Sequence, residues 1–153
     1  MNEYFNELRR SYQSALTNTC NKGGCRLGLD SLPAKPIIID ADLYRDITDC
    51  TGKICDYFIF SNARAIILAV VEMTAGKLDS SVTVQQIQAG AREGEKMLGH
   101  EQCSDFYPIA LCGRVGSSVE FKVLRKRKIA FRGRQYLVII KRCGAQLSEI
   151  MGA

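Results

Sequence analysis

The segment from Ala65 to Thr74 constrains the fold more than any other part of the chain, because eight of its ten residues are apolar. It is much shorter than the roughly 20 apolar residues that span a membrane. A strand without polar alternation is covered on both faces, as at the centre of a sheet in an α/β protein. We therefore expect a sheet with other elements packed against both of its faces, and no membrane partner.

The segments around this strand follow the order of an α/β domain. Hydrophobic spacing and turn residues predict a helix over 2–17, strands over 36–40, 54–60 and 65–74, a helix over 82–98 preceded by capping residues at 79–81, a strand over 106–111, a hairpin of 128–131 with 136–140, and a helix over 145–151. Residues 18–36 are expected to form a loop, and residues 117–124 fit either a helix or a strand. Three consecutive strands favour an antiparallel meander, and a strand after a crossover helix lies parallel to its neighbour. The predicted fold class is α/β with a mixed central sheet.

Length and composition indicate a single globular domain. The chain has 153 residues, of which 46% are hydrophobic and 24% are charged. This balance is ordinary for a globular domain and excludes disorder and coiled coils. We expect a core over residues 1–113, with a basic hairpin and a terminal helix within residues 114–153 packed on it. Residues 1–3 open a polar segment without an apolar signal core, so we expect a cytoplasmic protein.

The cysteine pattern leaves two interpretations open. The chain has seven cysteines, an odd number, and no signal segment. We therefore expect a reducing compartment and no disulfide framework. Cys20 and Cys25 have the same spacing as Cys50 and Cys55, and four thiolates on two loops form a candidate structural zinc site. Burial as core thiols is the favoured alternative, because Cys55 opens an apolar run.

Basic residues are concentrated near the C-terminus. Residues 118–142 contain nine basic side chains and one acidic side chain, Glu120, whereas the rest of the chain is net acidic. Such asymmetry favours a polyanionic partner, DNA or RNA, and a solvated hairpin surface is the alternative. The candidate nucleic-acid-binding residues are Lys122, Arg125, Lys126, Arg127, Lys128, Arg132 and Arg134.

Two carboxylates occupy the predicted hairpin of strands 54–60 and 65–74. Asp56 lies near the start of the first strand, and Glu72 lies near the end of the second. Folding the hairpin about residues 62–63 brings both to one end of the sheet. A carboxylate beside valines is costly to bury unless it binds a cation or hydrogen-bond donors, and a pair suits Mg²⁺ or Mn²⁺ with several waters retained. The Met73 carbonyl is a candidate third ligand, and a solvated Asp56 with an edge-facing Glu72 is the alternative.

These residues also carry a family resemblance. The pattern Asp56-x15-Glu72-x-Thr74, on a hairpin followed by a helix, resembles the PD-(D/E)xK nuclease superfamily, whose core has the order αβββαβ. The stretches CDYFIF at 55–60 and VVEM at 70–73 are similar to restriction-like members written CDxLxx and VELK. The glutamines at 85–86 fall where members often carry a helix glutamine. The resemblance covers about residues 1–113 and implies a restriction-endonuclease-like core with Asp56 and Glu72 as metal ligands.

The chain departs from this family at its lysine. The residue two positions after the acid is Thr74, and its hydroxyl cannot replace an amine that orients or deprotonates the attacking water and stabilises developing charge. The family is known to relocate this lysine, and Lys77, just beyond Gly76, is the expected replacement, with Lys96 a more distant one. The family also contains inactive members.

Two functions follow from the sequence. The first is a Mg²⁺- or Mn²⁺-dependent nuclease that hydrolyses phosphodiester bonds in DNA or RNA through Asp56, Glu72, Thr74 and Lys77. The second is a catalytically inactive module of the same fold that binds nucleic acid or a protein partner. Thr74 favours the second function, whereas the retained carboxylates favour the first. A homo-oligomer is compatible with either.

Overall fold

The computed structural model describes residues 2–62, 64–113 and 118–152. None of the helices in these ranges is long and apolar enough to cross a membrane. The elements, in chain order, are α1 (Asn2–Ser11), β1 (Leu16–Thr17), β2 (Cys20–Lys22), β3 (Cys25–Leu27), β4 (Ile37–Asp40), α2 (Ala41–Ile47), β5 (Tyr57–Asn62), β6 (Ile66–Thr74), α3 (Ser80–Leu98), β7 (Cys103–Cys112), α4 (Ser118–Lys126), β8 (Lys128–Phe131), β9 (Arg134–Leu137), β10 (Ile139–Arg142) and α5 (Leu147–Ile150).

Six strands form one mixed sheet in the order β1-β4-β5-β6-β7-β10. Strands β4, β5 and β6 are antiparallel neighbours, and β7 lies parallel to β6 after α3. This arrangement confirms the predicted meander and crossover. Strand β6 lies between two partners, which agrees with its lack of polar alternation.

Different elements cover the two faces of the sheet. Leu68 and Val70 join the core that includes residues of α1 and α3, whereas Ala69 and Val71 join the core that includes residues of the β2–β3 hairpin and α5. Successive residues of a strand point to opposite faces. Glu72 therefore lies on the same face as Val70, next to the α3 layer.

Helix α3 begins at Ser80, two residues before the predicted start and directly after the predicted capping residue Asp79, and it packs close to the sheet. The side chain of Asp79 accepts a hydrogen bond from Val82 N at 3.1 Å. A Cβ atom at Gly90 would lie 2.6 Å from Cys55 Sγ, and one at Gly94 would lie 2.6 Å from Leu68 Cδ2. The two glycines therefore allow the helix to approach β6 and the segment before β5.

The N-terminal region differs from the predicted helix and loop. Helix α1 ends at Ser11, and residues 16–17 form β1, which pairs with β4. The predicted loop contains the β2–β3 hairpin, closed by Gly23 and Gly24, which have φ angles of +56° and +86°. Strands of three residues are too short to produce a hydrophobic period in the sequence, so the pattern predicted only a loop.

A short helix, α2, follows β4 directly. The Asp40 side chain accepts hydrogen bonds from Asp42 N at 2.9 Å and from Leu43 N at 3.2 Å, which caps this helix. Asp42, in the first turn, pairs with Arg45 at 3.0 Å. The helix carries Asp42 to the end of the sheet where β5 begins.

The C-terminal hairpin is shorter than predicted. Strands β8 and β9 pair from Lys128 with Leu137 to Phe131 with Arg134. The chain then leaves the hairpin at Val138, which is 5% exposed, and β10 pairs in parallel with β7. The prediction of one strand over 136–140 was wrong because its apolar pattern continues while the chain passes from one sheet to another. Residues 118–126 form a helix, which settles the ambiguous segment.

Candidate functional site

Asp56 and Glu72 meet at one end of the central sheet. Tyr57 of β5 pairs with Val71 of β6. Because the strands are antiparallel, continuing this register by one residue places Asp56 opposite Glu72. Asp56 N donates to the Val71 carbonyl at 2.8 Å, and Asp56 Oδ2 accepts a hydrogen bond from Met73 N at 2.7 Å. The second bond ties the Asp56 side chain to the strand that carries Glu72. The fold therefore brings together the two carboxyl groups singled out in the sequence.

Burial raises the pKa of both carboxyl groups. Glu72 is 9% exposed, and burial, the charge of Asp56 and a hydrogen bond with Asp56 raise its pKa to about 9. Burial also raises the pKa of Asp56, although the Met73 N–H, the charge of Lys22 and the hydrogen bond with Glu72 oppose the rise. Two carboxyl groups this close do not both ionise readily. Burial and the mutual repulsion of the two groups therefore favour a proton on the pair.

Glu72 also has an unsatisfied oxygen atom. Its Oε1 is buried and has no hydrogen-bond partner among the described residues. A buried carboxylate oxygen without a donor is costly, so this atom suits a bound cation. Mg²⁺ commonly binds through one or two carboxylates and keeps several waters. In a strand, the N–H and the carbonyl of one residue point towards the same neighbouring strand. The Met73 N–H is bonded to Asp56, so the Met73 carbonyl lies on the same side as Asp56.

The donor set is small but fits a magnesium-type ion. Within 2–62, 64–113 and 118–152, no group of three or more His, Cys, Asp and Glu side chains is arranged to hold a metal ion. A cation held by Asp56, Glu72 and the Met73 carbonyl would take its remaining oxygen ligands from water or substrate, as Mg²⁺ usually does.

Lys22 supplies a cation that the sequence did not indicate. It ends β2, and its Nζ is ion-paired with Asp42 and lies 3.7 Å from Asp56 Oδ1. Burial lowers the pKa of Lys22, but the hydrogen bond with Asp42 and the charge of Asp56 outweigh burial and raise it. The side chain therefore stays charged. The Gly23–Gly24 pair that follows is a signal for a two-residue turn, but nothing in the sequence places that turn beside Asp56.

Thr74 and Lys77 lie in different surroundings. Thr74 is half-buried and shares a strand face with Glu72, two residues away. Lys77 is exposed in the connection between β6 and α3. The cations whose charge acts on the pKa of Glu72 include Lys22 and Lys53. The role expected for Lys77 stays a prediction.

Lys96 belongs to another cluster. Its Nζ lies 2.9 Å from Glu93 Oε2, and the Tyr44 hydroxyl donates to Glu93 Oε1 at 2.9 Å. Glu93, on α3, is 8% exposed, so these two bonds satisfy a buried carboxylate of this helix. Lys96 therefore has a structural partner of its own.

All seven predicted nucleic-acid-binding residues are exposed, and the side chains of six of them make no hydrogen bond or ion pair within the described part of the chain. These six are Lys122, Arg125, Lys126, Arg127, Lys128 and Arg134. Arg125 and Lys141 line a cavity of about 270 Å³ together with Phe121, so two cations and an aromatic ring are adjacent there. Arg132 is different, because its guanidinium donates to the carbonyls of Glu101 at 2.6 Å and Gly99 at 2.9 Å.

The helix glutamine with a clear structural role is Gln88. Its Nε2 donates to the Ala130 carbonyl at 2.9 Å, and its Oε1 accepts from Ala130 N at 2.8 Å. These bonds attach β8 to α3. Gln85 is exposed and Gln86 is half-buried on the same helix.

Cys25 and Cys143 form a disulfide, which contradicts the expectation of free thiols. They are 118 residues apart, and no spacing in the sequence shows that their Cα atoms come within 5.0 Å. The four cysteines of the zinc candidate are not brought together, since Cys25 is oxidised and Cys20 and Cys55 lie in the cores on opposite faces of the sheet. Both are buried thiols, as the alternative held. The expectation of a cytoplasmic location loses one of its premises.

Comparisons with protein-family models, with curated proteins and with solved structures find no match to this chain.

Proposed function

We propose that this chain hydrolyses phosphodiester bonds of DNA or RNA with Mg²⁺ or Mn²⁺, on a restriction-endonuclease-like core of the PD-(D/E)xK kind. The buried Asp56–Glu72 pair carries the proposal, because Glu72 Oε1 lacks any partner among the described residues. The order of elements supports it, since an antiparallel meander, helix α3 and a parallel strand follow one another.

Each carboxyl group has a defined part in holding the cation. Asp56, Glu72 and the Met73 carbonyl would bind the divalent ion, which when bound supplies a water of lowered pKa and positive charge for the phosphoryl oxygens. The Met73 N–H holds Asp56 Oδ2, so Oδ1 is the oxygen that faces Lys22. Glu72 must give up its proton before it can act as a ligand.

Lys22 is the first candidate for the lysine that would stabilise the developing charge. Its Nζ lies 3.7 Å from Asp56 Oδ1, and its side chain is 36% exposed, which leaves it room to turn towards a substrate. An ammonium has three donors, and a donor placed where phosphoryl charge develops lowers the barrier. Lys77, exposed beside Gly76, is the second candidate for this role.

The direct test is cleavage of plasmid DNA, single-stranded DNA and RNA by the purified chain with Mg²⁺ or Mn²⁺. Asp56→Asn and Glu72→Gln should each reduce cleavage by at least about 100-fold, since each removes a metal ligand. Glu7→Gln, at an exposed position on α1, is the matched control and should cut like the parent. Cleavage that persists in both site variants would overturn the proposal.

A binding module is the second candidate, because the carboxylate pair is already neutralised without a metal ion. Glu72 retains a proton and Lys22 lies beside Asp56, while Thr74 lacks the amine of the family motif. In this case the exposed basic residues of α4 bind the nucleic acid, and the affinity falls as the salt concentration rises. Binding without cleavage in either metal would decide for the module.

A further inference from the structure

The β2–β3 hairpin places a disulfide next to the site. Lys22 and Cys25 are register partners across the Gly23–Gly24 turn, so their side chains leave the same side of the hairpin. Lys22 reaches Asp56, while Cys25 is bonded to Cys143. A covalent link therefore fixes the end of the hairpin that carries Lys22.

The base of the hairpin is held by other contacts. Cys20 and Leu27 are each 1% exposed, packed in the core on this face. Gly28 N donates to the Ala145 carbonyl at 2.8 Å, which attaches the chain after β3 to the segment before α5. These contacts do not depend on the disulfide, so we expect the base to stay folded without it.

Fewer contacts hold the end near the turn. Asn21 N lies 3.3 Å from the Tyr57 hydroxyl oxygen, and the same hydroxyl donates to the Asn21 carbonyl at 2.8 Å. The ion pair of Lys22 involves Asp42, whose side chain is 53% exposed. An ion pair this exposed holds a lysine only weakly by itself. The position of Lys22 therefore depends on the backbone of the hairpin.

We propose that the Cys25–Cys143 disulfide positions Lys22 against the Asp56–Glu72 pair, and that reduction of this disulfide by a dithiol switches the site off. This inference rests on the proposed nuclease function. Cys25 is fully buried and Cys143 is half-buried, so a thiolate of the dithiol attacks Cys143 Sγ. The sulfur–sulfur bond breaks and Cys25 leaves as a thiolate, which takes up a proton.

The second thiol of the reductant then completes the exchange. This thiol attacks the reductant's other sulfur atom, which is bonded to Cys143 in the mixed disulfide. Cys143 is released as a thiolate and also takes up a proton. The dithiol becomes a cyclic disulfide and loses two electrons and two protons, and the protein gains them. The end of the hairpin is then held without a covalent link, by the bonds between Asn21 and Tyr57, by the hydrogen bond from Gly144 N to the Arg26 carbonyl at 2.6 Å and by the ion pairs of Lys22.

The first test measures Lys22 itself. The oxidised full chain and the chain reduced with dithiothreitol are acetylated, and each lysine is quantified by mass spectrometry. In the oxidised form the Lys22 amine is held against Asp42 and Asp56, so its release should speed acetylation at Lys22 severalfold. Lys77, exposed and distant in the chain, should react equally in both forms. Equal labelling of Lys22 in the two forms overturns the proposal.

Hydrogen exchange separates local release from unfolding. On reduction, amides of residues 21–26 should lose protection by a much larger factor than those of β6, which lose only what the lower global stability removes. An equal loss of protection in β6 and in the hairpin would show that the disulfide supports only the whole fold, and it would overturn the positioning role. Cys143→Ser should reproduce the reduced pattern without a reductant, whereas Cys103→Ser, at a free cysteine, should not.

The activity measurements tie the disulfide to Lys22. Cleavage by the parent should fall by about tenfold or more on reduction and return on reoxidation. Lys22→Ala should be slow in both forms and insensitive to reduction, which a merely structural disulfide would not produce. Equal redox sensitivity in Lys22→Ala overturns the inference. An oxidised parent that cuts nothing defeats the proposed function, and the labelling of Lys22 still decides the positioning role.

Discussion

At the scale of single residues, Glu72 is a carboxyl group for which a proton and a metal ion compete. Because its pKa is raised to about 9, a metal ion that binds at neutral pH must displace a proton. The affinity for Mn²⁺ should therefore rise by about tenfold per pH unit up to about pH 9 and then level off. Calorimetry in buffers of different ionisation enthalpy should detect the release of one proton.

Glu72→Gln is the control for this pH dependence. Its amide cannot lose a proton in this range, so the remaining affinity should be weak and flat with pH. An affinity of the parent that does not change between pH 6 and 9 would mean that Glu72 does not bind the ion, since ligand and proton would then not compete.

Two lysines can be distinguished at the same scale. Lys22 lies 3.7 Å from Asp56, whereas Lys77 is exposed in the connection after β6. Lys22→Ala should lower kcat by at least about 100-fold, the lower range for loss of one donor that stabilises developing charge, with circular dichroism unchanged. Lys77→Ala should stay near the parent rate. The reverse result would assign the role to Lys77, as the sequence predicted.

At the scale of elements, the long segments could be predicted and the short ones could not. Strand β6 and helix α3 have enough residues to show their periodicity, and Asp79 marks the start of α3. The β2–β3 hairpin has strands of three residues, and β10 continues the apolar pattern of β9. The position of Lys22 could not be predicted, because it follows from the packing of that hairpin on the sheet rather than from spacing along the chain.

The contact between α3 and the sheet gives a prediction about stability. Gly90→Ala would set a Cβ atom 2.6 Å from Cys55 Sγ and 2.8 Å from Val70 Cγ1. Overpacking of this kind costs about 1–3 kcal/mol, which should exceed the roughly 1 kcal/mol that alanine contributes to a helix. Urea unfolding should show the loss. Gly76→Ala, where the added atom meets open space, is the control, and an equal effect at both positions would refute the packing argument.

Helix α4 and the residues after it give a prediction about binding. Replacing Arg125, Lys126, Arg127 and Lys128 with alanine should weaken nucleic-acid binding and flatten its salt dependence, by about 0.9 in log–log slope for each lost contact with duplex DNA. Binding titrations at several salt concentrations measure this slope. Replacing Arg9 and Arg10, exposed on α1, is the control. A slope that stays the same in the α4 variant would mark this cluster as a solvated surface.

At the scale of the whole molecule, the disulfide joins the N-terminal part of the chain to its C-terminal part. Cys25 and Cys143 are 118 residues apart, and a link across a long loop restricts the unfolded chain most. Reduction should lower the free energy of unfolding by about 2–4 kcal/mol, measured by guanidinium denaturation with and without dithiothreitol. A midpoint that does not move would show that the link contributes nothing to global stability.

The same disulfide turns most of the chain into a closed ring. Both carboxylates and helix α3 lie inside the ring, whereas Lys22 lies three positions before Cys25 and so belongs to a tail outside it. A single nick in the backbone between the two cysteines would leave one covalent molecule until a reductant is added. The Lys22 ammonium group therefore reaches the carboxyl groups of Asp56 and Glu72 from outside the ring that contains them.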